Sequence, residues 1–249
     1  MLLFISDMHL QEERPELSRA FLHFLATQAV KAEAVYLLGD IFNYWVGDDA
    51  MTAYHQQIAA GLKSVADQGT QVFIMHGNRD FALGAEFCRQ AGCTLLPDPS
   101  VINPYGQPIL LMHGDSLCTQ DVGYQVLRAI LRNPLVIWVL QRLPVRLRQN
   151  LGRKARQVSQ ANKGKKASYL VDVTPAAVVK QLQKHACSLL IHGHTHQPAV
   201  HSVPIKLQGQ SLVAQRYVLG DWSDSKGWKL ELNAAGATLQ EFDFNTAAN

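Results

Sequence analysis

The chain is poor in cysteine and in charged residues, and it contains no apolar run long enough to span a bilayer. Its four cysteines form no CxxC pair, so a reducing, cytoplasmic setting fits them best. The first residues enter a strand pattern at once, and we therefore expect no cleaved secretion signal. With 47% hydrophobic and only 17% charged residues, the composition excludes a disordered chain. A length of 249 residues suits one α/β domain that carries an insertion.

Positive charge is concentrated in one part of the chain, although the net charge is only +3. Segment 119–171 contains eleven basic residues and a single acidic one, Asp121, whereas the remainder contains 12 basic and 19 acidic residues. This pattern predicts a mildly acidic core, formed by 1–118 and 172–249, and an inserted basic helical lid over 119–171.

Short apolar runs alternate with amphipathic stretches along the chain. Strands are predicted at 2–6, 35–38, 71–75, 101–103, 108–112 and 188–191, and helices at 16–32, 53–68, 84–91 and 175–185. A helical pattern also covers 121–170, with interruptions at Pro134 and Pro144, and 202–244 alternates in the manner of antiparallel strands. The order of these elements predicts an α/β fold.

Metal-binding side chains directly follow five of the predicted strands. They are Asp7 and His9, Asp40, Asn78, His113, and His194 with His196. Because open α/β sheets bind ligands at the carboxyl ends of their strands, these side chains are expected to meet. Aspartate, asparagine and histidine together suit Mn²⁺, Fe²⁺ or Zn²⁺ better than Ca²⁺. Seven ligands exceed the need of one ion, so we predict two divalent ions with Asp40 as the bridging carboxylate.

Three of these motifs, Asp-x-His, Gly-Asp and His-Gly-Asp, are weak when they stand alone. An Asp-x-His pair and a Gly-Asp step after a strand are both common in ordinary turns, where they bind nothing. The Gly-Asn-Arg-Asp segment at 77–80 is moderately specific, and the Gly-His-Thr-His segment that ends at His196 is the strongest single motif. All five motifs in this order, each at the end of a strand, are hard to obtain by chance and favour a metal centre.

The full set of motifs resembles the calcineurin-like binuclear metallophosphoesterases. The resemblance rests on Asp7-x-His9, Gly39-Asp40, Gly77-Asn78-Arg79-Asp80, His113-Gly114-Asp115 and Gly193-His194-Thr195-His196. It implies a four-layer αββα sandwich of two mixed sheets with an inserted helical cap. It also implies that all seven side chains named above bind metal, and that Asp40, Asn78, Arg79 and His113 are catalytic. The chain departs from many members at Arg79, where they have a histidine that serves as general acid.

Over nearly its whole length the chain is similar to a narrower family, the bacterial enzymes that hydrolyse UDP-2,3-diacylglucosamine in lipid A synthesis. This similarity rests on segments 37–49, 76–83, 111–119, 191–199 and 219–222. It implies water attack at the α-phosphorus, with UMP and 2,3-diacylglucosamine 1-phosphate as products and Mn²⁺ as the expected metal. It implies substrate contacts from Asn78, Arg79, Asp121, Ser159, Lys163, Lys166 and His194. It assigns no role to Asn43, and a salt bridge to Asp80 or another acid is the alternative role for Arg79.

The basic insertion has two interpretations. Apolar residues interleave with the basic ones, which suits a lid that holds acyl chains and meets the diphosphate and anionic headgroups of a membrane surface. In the other interpretation, a cap packs on the core and exposes a solvated basic face. We expect a peripheral protein at the cytoplasmic side of the inner membrane. No nucleic-acid partner is expected, because aromatic residues are sparse here and Trp138 lies in an apolar run.

Two rival functions also follow from the sequence. The first is another two-metal phosphodiesterase or nuclease of the same fold, against which the basic and apolar lid argues. The second is a non-catalytic scaffold, which is disfavoured because such proteins usually lose ligands and all seven positions are filled here.

Overall fold

Two β-sheets with helices on their outer faces make up the structure. The structure is a computed structural model that describes residues 1–163 and 172–244, and for 158–163 it describes the backbone alone. The strands are β1 (Leu2–Ile5), β2 (Ala34–Leu37), β3 (Gln71–Met75), β4 (Thr94–Leu96), β5 (Ser100–Ile102), β6 (Ile109–Met112), β7 (Leu189–His192), β8 (Ala199–Leu207), β9 (Gln210–Val218), β10 (Lys226–Asn233) and β11 (Gly236–Asp243). The α-helices are α1 (Pro15–Thr27), α2 (Ala53–Asp67), α3 (Ala85–Ala91), α4 (Val122–Leu131), α5 (Pro134–Arg142), α6 (Val145–Lys163) and α7 (Pro175–Lys184).

Both sheets are mixed, as predicted. The six-stranded sheet has the order β11-β10-β1-β2-β3-β4, in which β1 to β4 are parallel and β10 pairs antiparallel with both β1 and β11. The five-stranded sheet has the order β5-β6-β7-β9-β8, in which β6, β7 and β9 are parallel. Its edge strands β5 and β8 pair antiparallel to their neighbours.

Alternate residues of each strand face two different hydrophobic layers. In β1, Leu3 and Ile5 pack with α1, α2 and α3, whereas Leu2 and Phe4 pack against the second sheet. In β6, Leu111 lies between the sheets and Leu110 packs with α7. Because side chains alternate along a strand, a sheet buried on both faces needs apolar residues at every position. The layers therefore run helix, sheet, sheet, helix, and the predicted αββα sandwich is confirmed.

The alternating tail forms two hairpins that join different sheets. Hairpin β8–β9 extends the five-stranded sheet, where β9 runs parallel to β7. Hairpin β10–β11 extends the other sheet through antiparallel pairing of β10 with β1. The predicted helix at 16–32 was too long, because α1 ends at Thr27 and a 3₁₀ turn at Ala29–Lys31 leads into β2.

Helices α4, α5 and α6 occupy the predicted lid, and both predicted interruptions are confirmed. Pro134 is the first residue of α5, and Pro144 directly precedes α6. Proline suits the first turn of a helix, where its missing N–H would have no intrahelical partner. In the parts of the chain that the structure describes, no helix is both long and apolar enough to cross a membrane. The division into a core and an inserted lid stays a prediction.

Candidate active site

The carboxyl ends of five parallel strands bring all seven predicted ligands together. Loops after β1, β2 and β3 meet loops after β6 and β7 across the two sheets. On one side, His9 Nε2 lies 3.2 Å from His196 Nε2. On the other side, Asn78 Oδ1 lies 3.1 Å from His113 Nε2 and 2.9 Å from His194 Nδ1. The structure therefore brings the seven side chains together, while their roles in a metal site stay predictions.

Five of the seven predicted ligands have a left-handed backbone, which is uncommon outside glycine. The φ angles are 58° at Asp7, 50° at His9, 53° at Asp40, 72° at His194 and 56° at His196. Such conformations cost about 1–3 kcal/mol each and persist where surrounding structure imposes them. Their concentration at these positions indicates that the fold holds the side chains in place for a function.

Two glycines allow the ligand loops to approach each other closely. A Cβ atom on Gly77 would overlap Asp40 Oδ1, and a Cβ atom on Gly193 would overlap Asp7 Oδ2. Neither glycine has a positive φ, so the requirement is space and not backbone freedom. These loops can therefore meet only when a glycine stands at both positions.

The donor atoms fit divalent cations. Two groups of acidic and histidine side chains have ligand atoms within 4.8 Å of one another, one of Asp7, His9 and His196 and one of Asp7, Asp40 and His113. Asp7 Oδ1 and His9 Nδ1 are buried without a hydrogen-bond partner. Buried polar atoms without partners are costly, and a bound cation would satisfy them.

Two of the histidines are oriented by acceptors behind them. His113 Nδ1 lies 2.9 Å from the carbonyl oxygen of Leu38, which can only accept, so this nitrogen carries the proton and Nε2 faces the site. His196 Nδ1 lies 3.2 Å from Asp221 Oδ2. Partners of this kind fix the ring orientation of metal-binding histidines and raise their basicity.

Burial controls the protonation of these side chains when no cation is bound. It raises the pKa of Asp40 to about 6 and lowers the pKa of His194 to about 3. Burial alone would lower the pKa of His196, but the carboxylates of Asp221 and Asp7, 3.2 Å and 3.3 Å from its ring nitrogens, raise that pKa to about 9. Because metals bind neutral imidazole, binding of an ion at His196 must release a proton.

Asp80 joins the loops after β2 and β3. Its buried carboxylate accepts hydrogen bonds from the backbone N–H groups of Gly77 at 2.7 Å, Ile41 at 2.7 Å and Asp40 at 3.3 Å. An ionised carboxylate with several backbone donors makes strong, charge-assisted hydrogen bonds. Asp80 thus holds Asp40 in position, and its side chain forms no salt bridge with Arg79.

Arg79 pairs with a different acid. Its Nε lies 3.2 Å from Asp40 Oδ2, and its backbone N–H donates to Asp40 Oδ1 at 2.9 Å. Its Nη1 donates to Asn43 Oδ1 at 3.1 Å, and Arg156 Nε donates to the same oxygen at 2.9 Å. Two guanidinium groups therefore share one neutral acceptor beside the ligand cluster.

Helix α4 contacts two ligand loops through polar side chains. The buried Oδ2 atom of Asp115 accepts from Tyr124 Oη at 2.7 Å, Arg128 Nε at 2.8 Å and Arg132 Nη2 at 3.2 Å. Arg132 also donates to the carbonyl oxygen of Gly77 at 3.0 Å. A buried network of this kind stabilises one arrangement only when its members are satisfied together. It ties α4 to the loops after β3 and β6.

The other predicted substrate contacts all fall within 119–171, the segment predicted to form the lid. The carboxylate of Asp121 caps α4 by accepting from the backbone N–H of Tyr124 at 3.1 Å. The side chains of Ser159 and Lys163 and the whole of Lys166 lie outside the described residues. Their substrate contacts stay predictions.

Sequence reasoning missed several residues of this site. Asp221 follows β9 in a Gly-Asp step like the one that ends at Asp40, so the strand-end signal was present but was not used. Asp80 and Asp115 stood in quoted motifs without a role. The ring of Tyr124 lies 6.1 Å from that of His194, and no sequence pattern indicated this contact.

Comparison with known proteins agrees with this geometry. A model of the calcineurin-like phosphoesterase family matches residues 1–198. A Pseudomonas aeruginosa protein named UDP-2,3-diacylglucosamine hydrolase is 56% identical over 234 residues, which cover 94% of this chain and 95% of the relative. A protein of the same name from Pseudomonas fluorescens is 53% identical over 98% of this chain and 96% of the relative. Another from Ectopseudomonas mendocina is 53% identical over 99% of this chain and 100% of the relative.

The family match includes every strand end that carries a predicted ligand, from Asp7 to His196. The relatives cover both sheets and the intervening helices, since each alignment spans at least 94% of this chain. Fold, site geometry and sequence similarity lead to one conclusion: the chain belongs to the calcineurin-like phosphoesterase family.

Proposed function

We propose that this chain hydrolyses the diphosphate bond of UDP-2,3-diacylglucosamine, a step of lipid A biosynthesis. The products are UMP and 2,3-diacylglucosamine 1-phosphate. The observation that carries the proposal is the meeting of seven metal-ligand side chains and Arg79 at one edge of the two sheets. Relatives that are 53–56% identical over nearly the whole chain are named for hydrolysis of this substrate.

Two divalent ions, Mn²⁺ in this proposal, would be held by two sets of side chains that share Asp40. One set is Asp7, His9, Asp40 and His196, and the other is Asp40, Asn78, His113 and His194. When bound, such a pair lowers the pKa of a water molecule and neutralises phosphate oxygens. We assign Asp40 to both sets because its two carboxylate oxygens face different histidines. Oδ2 lies 3.7 Å from His9 Nδ1, and Oδ1 lies 3.8 Å from His113 Nε2.

Arg79 would bind the diphosphate beside this centre. A guanidinium is always charged and offers parallel donors that match phosphate oxygens. The bond that breaks joins the α-phosphorus to the oxygen between the two phosphates, and water supplies the new oxygen on UMP. The leaving group is a phosphate monoester, which departs as an anion without prior protonation. An arginine in place of a histidine general acid is therefore compatible with this reaction.

The remaining substrate contacts in this proposal come from both parts of the chain. Asn78 and His194 belong to the ligand cluster, and Asp121, Ser159, Lys163 and Lys166 belong to the lid. We propose that the lid comprises 119–171 and the metallophosphoesterase core comprises 1–118 and 172–249. Helices α4 to α6 fall within the proposed lid.

The lid helices expose apolar side chains and turn several arginines inward. Leu135, Trp138 and Leu127 are 68%, 51% and 51% exposed. Arg128 and Arg132, by contrast, are hydrogen-bonded to buried Asp115. This orientation is the reverse of a cap that packs its apolar face on the core. It supports a lid whose apolar surface contacts the acyl chains of a lipid substrate.

The same surface supports a peripheral membrane location. Basic residues attract anionic headgroups by about 1 kcal/mol each near a membrane surface, and the described lid helices expose Arg142, Arg146, Arg153 and Lys154. Exposed apolar side chains add burial in the interfacial layer. We therefore place the protein at the cytoplasmic face of the inner membrane, on anionic lipid, and assign it no nucleic-acid partner.

Release of UMP from detergent-dispersed UDP-2,3-diacylglucosamine tests the proposed function. We expect turnover that requires added Mn²⁺ and is abolished by a chelator. Single-stranded DNA and a cyclic nucleotide serve as rival substrates under the same conditions. Faster cleavage of either rival would replace the lipid substrate with a nuclease or phosphodiesterase function. Purified protein that binds no divalent metal would favour the scaffold.

Replacement of Leu135 by aspartate tests the apolar surface of the lid. We expect a large loss on the acylated substrate and little change on a water-soluble phosphodiester, because each buried acyl methylene contributes about 0.8 kcal/mol. Leu135 is exposed, so the substitution should leave folding intact. Leu135→Met is the matched control, since it keeps the surface apolar. Equal losses on both substrates, or none, would place the acyl chains elsewhere.

A further inference from the structure

We propose that Asp49 and Arg148 form a positioning pair that docks α6 on loop 43–49 and so determines selectivity for the lipid-linked diphosphate. We call this ion pair the α6 latch. The inference rests on the proposed function and extends it to two residues outside the ligand cluster. Neither residue contacts a predicted metal ligand.

Arg148 is unusually buried for an arginine, with 4% of its surface exposed. Its Nη1 donates to Asp49 Oδ1 at 2.8 Å and to the carbonyl oxygen of Val46 at 2.6 Å, and its Nη2 pairs with the second oxygen of Asp49. Its Nε donates to the carbonyl oxygen of Leu143 at 2.9 Å, which ties the same side chain to the start of its own helix. A buried arginine with this many partners is a fixed connection between lid and core.

Two glycines provide the space for this connection. Gly47 has a φ of 125°, and a Cβ atom there would lie 2.5 Å from Arg148 Nη1. Gly152 lies one turn after Arg148 on α6, where a Cβ atom would lie 3.1 Å from Val46 Cγ1. A side chain at either glycine would therefore crowd the contact between helix and loop.

Helix α6 connects the latch to the surroundings of the ligand cluster. Residues 148, 152 and 156 are four apart and lie on one face of α6. Arg156 Nε donates to Asn43 Oδ1, the oxygen that also accepts from Arg79. Docking of α6 by Arg148 therefore places Arg156 about two turns away, beside the guanidinium that we assign to the diphosphate.

The core side of the latch is itself rigid. Asp48, next to Asp49, accepts from the backbone N–H groups of Gly84 at 2.9 Å and Phe87 at 3.0 Å, at the start of α3. It also accepts from Trp45 Nε1 at 3.0 Å. The backbone N–H of Trp45 donates to the carbonyl oxygen of Arg79 at 2.9 Å. Loop 43–49 is therefore anchored on the core independently of α6, so loss of the latch should displace the helix and leave the Arg79 loop in place.

Kinetics on two substrates test the latch, with the full-length protein loaded with Mn²⁺. For Arg148→Gln we expect kcat/KM on UDP-2,3-diacylglucosamine to fall about 10- to 100-fold, the size of effect that misplacement by roughly 1 Å produces. Turnover of a soluble aryl phosphodiester and the bound metal should stay within about twofold of wild type. Asp49→Asn should behave similarly, and the double variant should be no worse than Arg148→Gln. Arg153→Ala is the matched control, because Arg153 is exposed and, among the described residues, donates a hydrogen bond only to Asn150 on its own helix.

Hydrogen–deuterium exchange of the α6 amides provides a readout that needs no substrate. We expect faster exchange over α6 in Arg148→Gln than in wild type or Arg153→Ala, and partial recovery in Arg148→Lys. Unchanged exchange, or unchanged selectivity between the two substrates, would overturn the latch. If wild type cleaves only the soluble diester, the proposed function fails, and exchange over α6 still decides whether the pair docks the helix.

Discussion

Asp40→Ala is expected to lose both bound metal ions and to lower hydrolysis of the lipid substrate by well over 100-fold. Removal of an outer partner of a metal ligand already costs about 10- to 100-fold, and Asp40 is proposed to bind both ions directly. Its Oδ2 faces His9 and its Oδ1 faces His113, so no other carboxylate in the described residues faces both histidines in this way. Metal content after gel filtration, together with release of UMP, measures the effect.

Asp7→Ala provides the comparison that tests the bridging role. Asp7 belongs by distance to both ligand groups, but its Oδ2 already accepts from Ser6 Oγ at 2.6 Å and from the backbone N–H of His194 at 2.9 Å. We therefore expect Asp7→Ala to retain one ion and Asp40→Ala to retain none. Asp67→Ala, which changes an exposed acid on α2, should retain both ions. The opposite order for Asp7 and Asp40 would make Asp7 the bridge.

Arg79→Ala is expected to keep both metal ions and to lose about 100- to 1000-fold in turnover, the usual cost of removing one donor that stabilises charge in a transition state. The metal should be retained because the contact to Asp40 Oδ1 comes from the backbone N–H of residue 79, which alanine keeps. The guanidinium, in contrast, is lost completely. Steady-state kinetics with parallel metal analysis separates these two outcomes.

Arg79→His distinguishes charge stabilisation from proton donation. A histidine at this position should fail to restore full activity, because it offers neither a permanent charge nor parallel donors for a diphosphate. Arg89→Ala, which removes an exposed arginine of α3 paired with Glu86, is the control for loss of positive charge. A histidine variant as active as wild type would indicate that residue 79 serves as a general acid.

Arg79 and Arg156 place two positive charges beside Asn43. Burial, followed by the charge of Arg79, lowers the pKa of Arg156 to about 10. Two guanidinium groups that share one amide oxygen repel each other, and an anionic diphosphate between lid and core would relieve that repulsion. The neutral side chain of Asn43 accepts from both guanidinium groups without adding negative charge between them, which gives the residue a physical role that its sequence context did not reveal.

The sequence alone determined most strands, most helices and where along the chain the predicted ligands stand. Each of these is a local property: a buried strand needs a continuous apolar run, and a ligand such as Asp7 or His113 comes within two residues of the end of its strand. Parallel strands end at a common edge, so a list of strand ends already describes a site. The resemblance to a known family added the reaction and the substrate.

Only the tertiary structure decided which surfaces those elements share. Arg148 pairs with Asp49, which lies 99 residues earlier in the sequence. Arg132 donates to the carbonyl oxygen of Gly77, which lies 55 residues earlier. The sequence also left open which sheet each tail hairpin joins, and whether the apolar side of the lid faces the core or the solvent. A side chain's partner depends on how separate elements dock, and docking is set by the packing of the whole chain. Periodicity records which face of an element is apolar, but it does not record what that face meets.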